Sequence, residues 1–207
     1  MSAQGSDRDG KSPQAKQQRA DEVYDLTQKV ATAGMWAEGL SGVVGFGLPV
    51  LVDAGMIGVY SDMWNDIRGV YGKGKITAHA AQEYIKRNIR FLIQDFVWDT
   101  VLGNVPVAGA FFNVVFAKAT TWRLGIWFGA LAALGEEDEK VLNSDVSMAT
   151  ATIVRELFPE LGSPFDFKTP DREIFTSLLV GLDGLTTKDA KGRLDDAMKA
   201  LRGELRS

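Results

Sequence analysis

Eighteen consecutive residues, Thr100 to Ala117, carry no charge and lie between Asp99 and Lys118. A run of this length has to be buried, either in a protein core or in lipid. One helix needs roughly 20 apolar residues to cross a bilayer. Trp98 stands just before the run and Trp122 just after it, and Pro106 interrupts it between Gly103 and Gly109. Proline lacks an amide donor and disfavours helix at the residue before it. The run is therefore expected to be two helical pieces with a break at Gly103–Pro106.

A fainter version lies upstream. Gly39 to Val52 is uncharged over 14 residues, Asp53 interrupts, and eight more uncharged residues reach Ser61. Trp36 and Trp64 bracket this stretch, and Pro49 follows Gly45 and Gly47. Tryptophan at both ends of an apolar run fits an interfacial belt, and it fits a helical core equally. A backbone break inside lipid survives only where protein or water satisfies the freed groups. A re-entrant hairpin and a packed soluble helix pair both meet that condition. Aligning Leu48-Pro49-Val50 with Val105-Pro106-Val107 makes the two stretches copies about 57 residues apart. The repeat units are about 43–72 and 99–129.

Charge divides unevenly along the chain. Residues 1–135 hold 13 basic and 12 acidic side chains, and residues 136–207 hold 10 and 15. Between the two apolar stretches, residues 68–90 carry Arg68, Lys73, Lys75, Lys86, Arg87 and Arg90 against a single acid, Glu83. A basic segment beside apolar hairpins suits anionic lipid headgroups; it is also what a solvated helix face looks like. The acidic balance, with a pI near 5.1, argues against a nucleic-acid partner.

The periodicity predicts an all-α protein in three regions. Residues 1–19 are polar, contain no secretory signal and read as a disordered tail. Residues 20–135 form an apolar helical domain. It opens with an amphipathic helix over about 20–40 and includes a turn at Gly72–Lys75, a helix capped by Thr77, and a last apolar helix, Leu124–Leu134, stopping at Gly135. Residues 136–207 form a small, soluble, acidic helical region. It has a short helix before Pro159 and a pair over 171–183 and 186–203, with Leu178, Leu179 and Leu182 expected to face Leu194, Met198 and Leu201.

The segment Ile89 to Leu124 resembles the second half of a bacterial and archaeal domain-of-unknown-function family numbered 4112. The matching positions are Asp99, Gly103, Pro106, Val107, Gly109, Phe112, Lys118 and Ala119. Gly45, Pro49 and Asp53 match the corresponding element of the first half. The aspartate the family carries after its second glycine is Ala110 here. The GTPase-associated family numbered 697 has a comparable layout. The resemblance covers about residues 40–130 and implies membrane association without an assigned activity.

Reaction chemistry leaves little trace. There is no cysteine, one histidine (His79), and no phosphate-binding loop, nucleophile elbow or metal-protease motif. The pairs Asp62/Asp66 and Asp95/Asp99 each lie four apart on a helix, and Asp99 with Lys118 or Arg123 is a candidate ion pair. No cofactor is expected. The leading expectation is a non-enzymatic protein of the bacterial inner membrane, on its cytoplasmic face or inserted, acting through two glycine- and proline-broken hairpins. Its membrane or pore candidates are Pro49, Asp53, Trp98, Asp99, Gly103, Pro106, Gly109, Lys118, Trp122 and Arg123. Its anionic-lipid candidates are the six cations named above. A homo-oligomer, and a protein partner at the C-terminal region, are compatible with it. Two alternatives stand beside it: a pore-forming effector exported without a cleaved signal, as in type VI secretion, and a soluble helical interaction module.

Overall fold

The computed structural model describes residues 12–41, 54–93, 106–136, 138–142, 144–157 and 169–204. Near the inner ends of the first four helices (34–41, 54–57, 89–93 and 106–117) it describes the backbone path alone. Among the described residues there are eight helices and no strand: α1 Pro13–Ser41, α2 Ala54–Val70, α3 Ala78–Ile93, α4 Pro106–Ala133, α5 Asp138–Leu142, α6 Asp145–Leu157, α7 Arg172–Leu182 and α8 Thr187–Glu204.

The starts of these helices follow from local chemistry. Ser12 caps α1, its Oγ accepting from the Ala15 amide at 3.1 Å, and Pro13 takes the first helical position, where no amide is needed. Thr77 caps α3 through the Ala80 amide at 3.2 Å. Asp171 caps α7 through the Ile174 amide at 3.1 Å. Thr186 caps α8 while Asp189 reaches back to its hydroxyl at 2.8 Å. Pro106 opens α4 as Pro13 opens α1.

α4 is the axis of the molecule. It packs against α1, α2, α3, α5, α6 and α7. Each residue from Ala119 to Leu134 is buried, which is why the helix is apolar around its whole circumference from Leu124 onward. Trp64 stacks on Phe128 with centroids 4.9 Å apart, and Tyr24, Trp122 and Phe175 form a tilted and edge-on cluster at 5.0–6.0 Å. Trp127 donates its indole N–H to the Ser147 carbonyl at 3.0 Å. α1 lies close against α4. Gly125 lies under Thr27, and Gly129 lies between Val23 and Leu179.

Contacts fix the helix directions. On α1 and α4, Val23 meets Gly129 and Thr27 meets Gly125, so the two run antiparallel. On α2 and α4, Tyr60 meets Thr121 and Trp64 meets Phe128, so these run parallel. The tight turn at Tyr71–Thr77 sends α3 back along α2, with Tyr84 edge-on to Trp64. Hence α1 and α3 point one way and α2 and α4 the other.

Four parts of the chain gather at one end. The Arg19 guanidinium pairs with Asp183 at 2.7 Å and lies 5.9 Å from the Tyr71 ring centroid, and Lys16 donates to the Asp183 carbonyl at 2.6 Å. Lys73 donates to the Glu136 carbonyl at 3.1 Å. The Gly135 amide donates to Leu185 O at 2.9 Å and the Gly184 amide to Ala133 O at 2.8 Å. The start of α1 and the α2–α3, α4–α5 and α7–α8 turns are thereby tied together, and we call this the closed end.

The structure departs from the sequence reading in four places. α1 begins at Pro13, so residues 13–19 are helix; a polar composition hid the role of Lys16 and Arg19 in holding the closed end. Leu124–Leu134 is the second half of one continuous helix beginning at Pro106. The acidic boundary at 136–139 contains the start of α5. Among the described residues the C-terminal pair meets only lightly, through Arg193 donating to the Gly181 carbonyl at 3.3 Å, and the side chains of Met198 and Leu201 lie outside the described residues. α7 buries Phe175, Thr176, Leu179 and Leu182 with α1 and α4 as its main neighbours, whereas α8 lies on α6. Two adjacent amphipathic helices suggested each other as partners, but the large buried face of α1 and α4 took α7 instead.

Candidate functional site

The helix directions place the C-terminal ends of α1 and α3 and the N-terminal ends of α2 and α4 at the end of the bundle opposite the closed end. The chain connects these helix ends through residues 42–53 and 94–105, two segments of equal length. These segments and the helix ends beside them hold the two uncharged runs singled out in the sequence. We refer to this as the apolar end. Pro49, Asp53, Trp98, Asp99 and Gly103 lie outside the described residues. Pro106 and Gly109 lie in the first turns of α4.

A layer of buried polar groups crosses the bundle between the two ends. The Thr121 hydroxyl approaches the Tyr60 phenol oxygen at 3.4 Å, with both residues buried. Ser61, Thr120 and Arg123 are buried beside them, Arg123 at 1% exposure. Thr27 is buried about one turn nearer the closed end, its hydroxyl returned to the Val23 carbonyl at 2.8 Å. Lys118, half-buried, stands on the apolar side of this layer. From Leu124 to Leu134 the core is apolar. Trp122 is fully buried within the aromatic cluster, so it is a core residue. The polar layer escaped the sequence reading, although Lys118-Ala-Thr-Thr-Trp-Arg123 is the polar interruption in an otherwise apolar helix.

Four of the six lipid-candidate cations are described, and they are spread along the bundle. Arg68 is buried, and its guanidinium donates to the Gly74 carbonyl at 2.9 Å, fixing the α2–α3 turn. Lys73 bridges to the α4–α5 turn, and burial followed by the nearby Arg68 charge lowers its pKa to about 8. Both belong to the closed end, with exposed Lys75 beside them. Lys86 is exposed midway along α3, 3.8 Å from Glu83. The side chains of Arg87 and Arg90 lie outside the described residues.

Carboxylates tie the C-terminal helices to the rest. Arg172 of α7 pairs with Asp21 at 2.8 Å and Asp25 at 3.0 Å on α1, lying 4.7 Å from the Tyr24 ring centroid. Lys191 of α8 pairs with Asp145 of α6 at 2.9 Å. Glu136 takes a hydrogen bond from Lys140 and another from the Thr187 amide at 2.7 Å, and these hold its carboxyl down at about 2. The bond from Arg172 lowers Asp21, and the bond from Lys191 lowers Asp145.

Among the described residues, no group of three or more metal-ligating side chains converges. A shallow groove of about 400 Å³ along α1, lined by Asp21, Glu22, Asp25 and Lys29, is open and brings no nucleophile to a base. No described helix is long and apolar enough to cross a membrane. The chain matches no family model, no curated protein and no solved structure.

Proposed function

We propose that this chain is a non-enzymatic helical protein that binds an anionic membrane through the apolar end of its bundle, on the cytoplasmic face of a bacterial inner membrane. The observation that carries this reading is the antiparallel order of α1 to α4. Two uncharged glycine- and proline-containing runs, 57 residues apart in sequence, border the same end of one bundle. The ion pairs Arg19–Asp183, Arg172–Asp21 and Lys191–Asp145 belong to the remainder of the fold. Folded proteins rarely keep large apolar patches unless a partner or a membrane covers them. The resemblance to families 4112 and 697 points the same way.

A second reading has its own support. Ala119 to Leu134 is buried by protein on every side, so this half of the central helix needs no lipid. If the apolar end is likewise covered by protein, the chain is a soluble interaction module. Fractionation separates the two readings. Retention in the membrane pellet through a carbonate wash, with release by detergent, is the expected result. Recovery in the soluble fraction, with no binding to phosphatidylglycerol vesicles, refutes the membrane reading.

A further inference from the structure

Independently of the membrane reading, we propose that α5, α6 and α8 form a lid that opens from α4 as one unit, hinged at the Gly135–Gly184 joint.

The C-terminal helices divide between two layers. α7 is anchored on the bundle at both ends. The Tyr24 hydroxyl donates to the Pro170 carbonyl at 3.1 Å, Arg172 pairs with Asp21 and Asp25, and Asp183 pairs with Arg19. α8 belongs to the other layer. It packs on α6, buries Ala190 and Leu194, and is tied to α6 by Lys191 and Asp145 at 2.9 Å. α6 in turn rests on α4 and α3. The chain changes layer at Gly135, between α4 and α5, and again at Gly184, between α7 and α8.

These two crossings lie side by side, because the Gly135 amide donates to Leu185 O and the Gly184 amide to Ala133 O. One side of the joint is pinned to the bundle. Lys16 and Arg19 hold Asp183, and Lys73 holds the Glu136 carbonyl. The other side leads into the lid, where the Glu136 carboxylate accepts from the Thr187 amide at the start of α8. A few element-terminal residues are enough to absorb a hinge rotation. Gly184, at φ +81°, already uses backbone space closed to most side chains. The third crossing runs from Leu157 of α6 to Pro170, and a chain of that length reaches up to about 40 Å, so it sets no short tether.

Hydroxyls mark the contact between the layers. The Trp127 indole N–H donates across it to the Ser147 carbonyl at 3.0 Å. Ser147 and Thr150 lie one turn apart on the buried side of α6, and Thr120 lies two turns before Trp127 on the same side of α4. The hydroxyls of Thr120, Ser147 and Thr150 are buried with no hydrogen-bond partner among the described residues. A hydroxyl buried in this way has given up its bonds to water without replacement, so closure is penalised at this contact and opening relieves it. Local opening of contiguous units follows such differences in contact quality.

Native-state hydrogen exchange of the wild-type chain in dilute urea tests the unit. α6 and α8 should exchange together, and faster than α7 and Leu124–Leu134 of α4. Thr150→Val removes one unpartnered hydroxyl and keeps the shape, and it should slow exchange in α6 and α8 about fivefold or more. The chain has no cysteine, so thiol labelling gives a second readout. Ser147→Cys should react with a maleimide at urea concentrations that leave Thr27→Cys protected. Four results would each overturn the lid: α6 exchanging at the rate of α4, α8 exchanging with α7 instead of α6, no slowing by Thr150→Val, or equal labelling of the two thiols. The wild-type exchange pattern decides the matter even where a variant fails to fold.

Discussion

Replacing Gly125 with alanine tests the α1–α4 contact, the tightest among the described glycines. A Cβ on Gly125 would lie 2.3 Å from both Cγ2 and Oγ1 of Thr27 and 2.8 Å from its Cβ. Thr27 cannot swing aside easily. It is fully buried, β-branched, and held by its bond to the Val23 carbonyl. The new methyl therefore has to push α1 and α4 apart, and overpacking of this kind costs about 1–3 kcal/mol, occasionally more. Alanine recovers about 1 kcal/mol of helix propensity relative to glycine. The clash exceeds that gain, because the contact falls well below any van der Waals distance and involves a fixed side chain. We expect Gly125→Ala to lose up to about 2 kcal/mol net. In a chain of this size that is a fall of up to about 8 °C in Tm.

The controls are Gly69→Ala in α2 and Gly192→Ala in α8, where an added Cβ meets nothing within 4 Å. Each should gain about 0.5–1 kcal/mol. Thr27→Gly in the Gly125→Ala background should recover much of the loss, because it removes all three clashing atoms. Thr27→Ala should recover less, since its Cβ remains. Urea titrations followed by circular dichroism measure the whole set. A Gly125→Ala protein as stable as Gly69→Ala would refute the α1–α4 register, and with it the antiparallel order on which the functional proposal rests.

Two further outcomes are expected. Lys86→Glu, near the polar layer, should weaken binding to anionic vesicles more than Lys75→Glu at the closed end, because screened charges act over about 8–10 Å at physiological ionic strength; equal effects of the two variants in a salt-dependent co-sedimentation assay would contradict the orientation. Asp21, Asp145 and Glu136 are held below the usual carboxylate range, the last at about 2. Their contribution is full above the unfolded carboxylate values near 4 and is lost as pH falls toward the lower folded values. Stability should therefore drop between about pH 4 and pH 2, and Glu136→Gln should flatten that drop in urea melts read at each pH.

Some of this architecture was legible because local chemistry decided it. Thr77 caps a helix, Pro106 starts one, and the chain leaves the helix at Gly135, each for reasons contained within a few residues. The apolar run of α4 announced burial but not its agent: Ala119–Leu134 is covered by helices from both ends of the sequence, and a period of 3.6 cannot say whether protein or lipid lies alongside. Charges misled in the same way. Lys16 and Arg19 looked like a solvated tail, and Arg68 and Lys73 like a lipid patch. Their partners, Asp183, Gly74 and Glu136, are in turns, and turns meet only after the helices have packed. The polar layer was hidden because threonine and tyrosine are unremarkable in a helix until Thr121 and Tyr60 are seen on one level.

The main-chain stitch between Ala133–Gly135 and Gly184–Leu185 has a consequence for how this protein's lineage can vary. Two backbone hydrogen bonds hold the turns together without asking anything of their side chains. Yet a Cβ at position 135 would lie 3.0 Å from the Gly184 carbonyl oxygen, and Gly184 itself has φ +81°. Selection on this joint therefore acts through the absence of side chains. At apolar core positions, exchanges between side chains of similar volume usually cost little. Gly125, Gly135 and Gly184 are not free to drift in that way. Distant members of the lineage should be recognisable by three glycines at these helix and turn positions after their apolar segments have diverged.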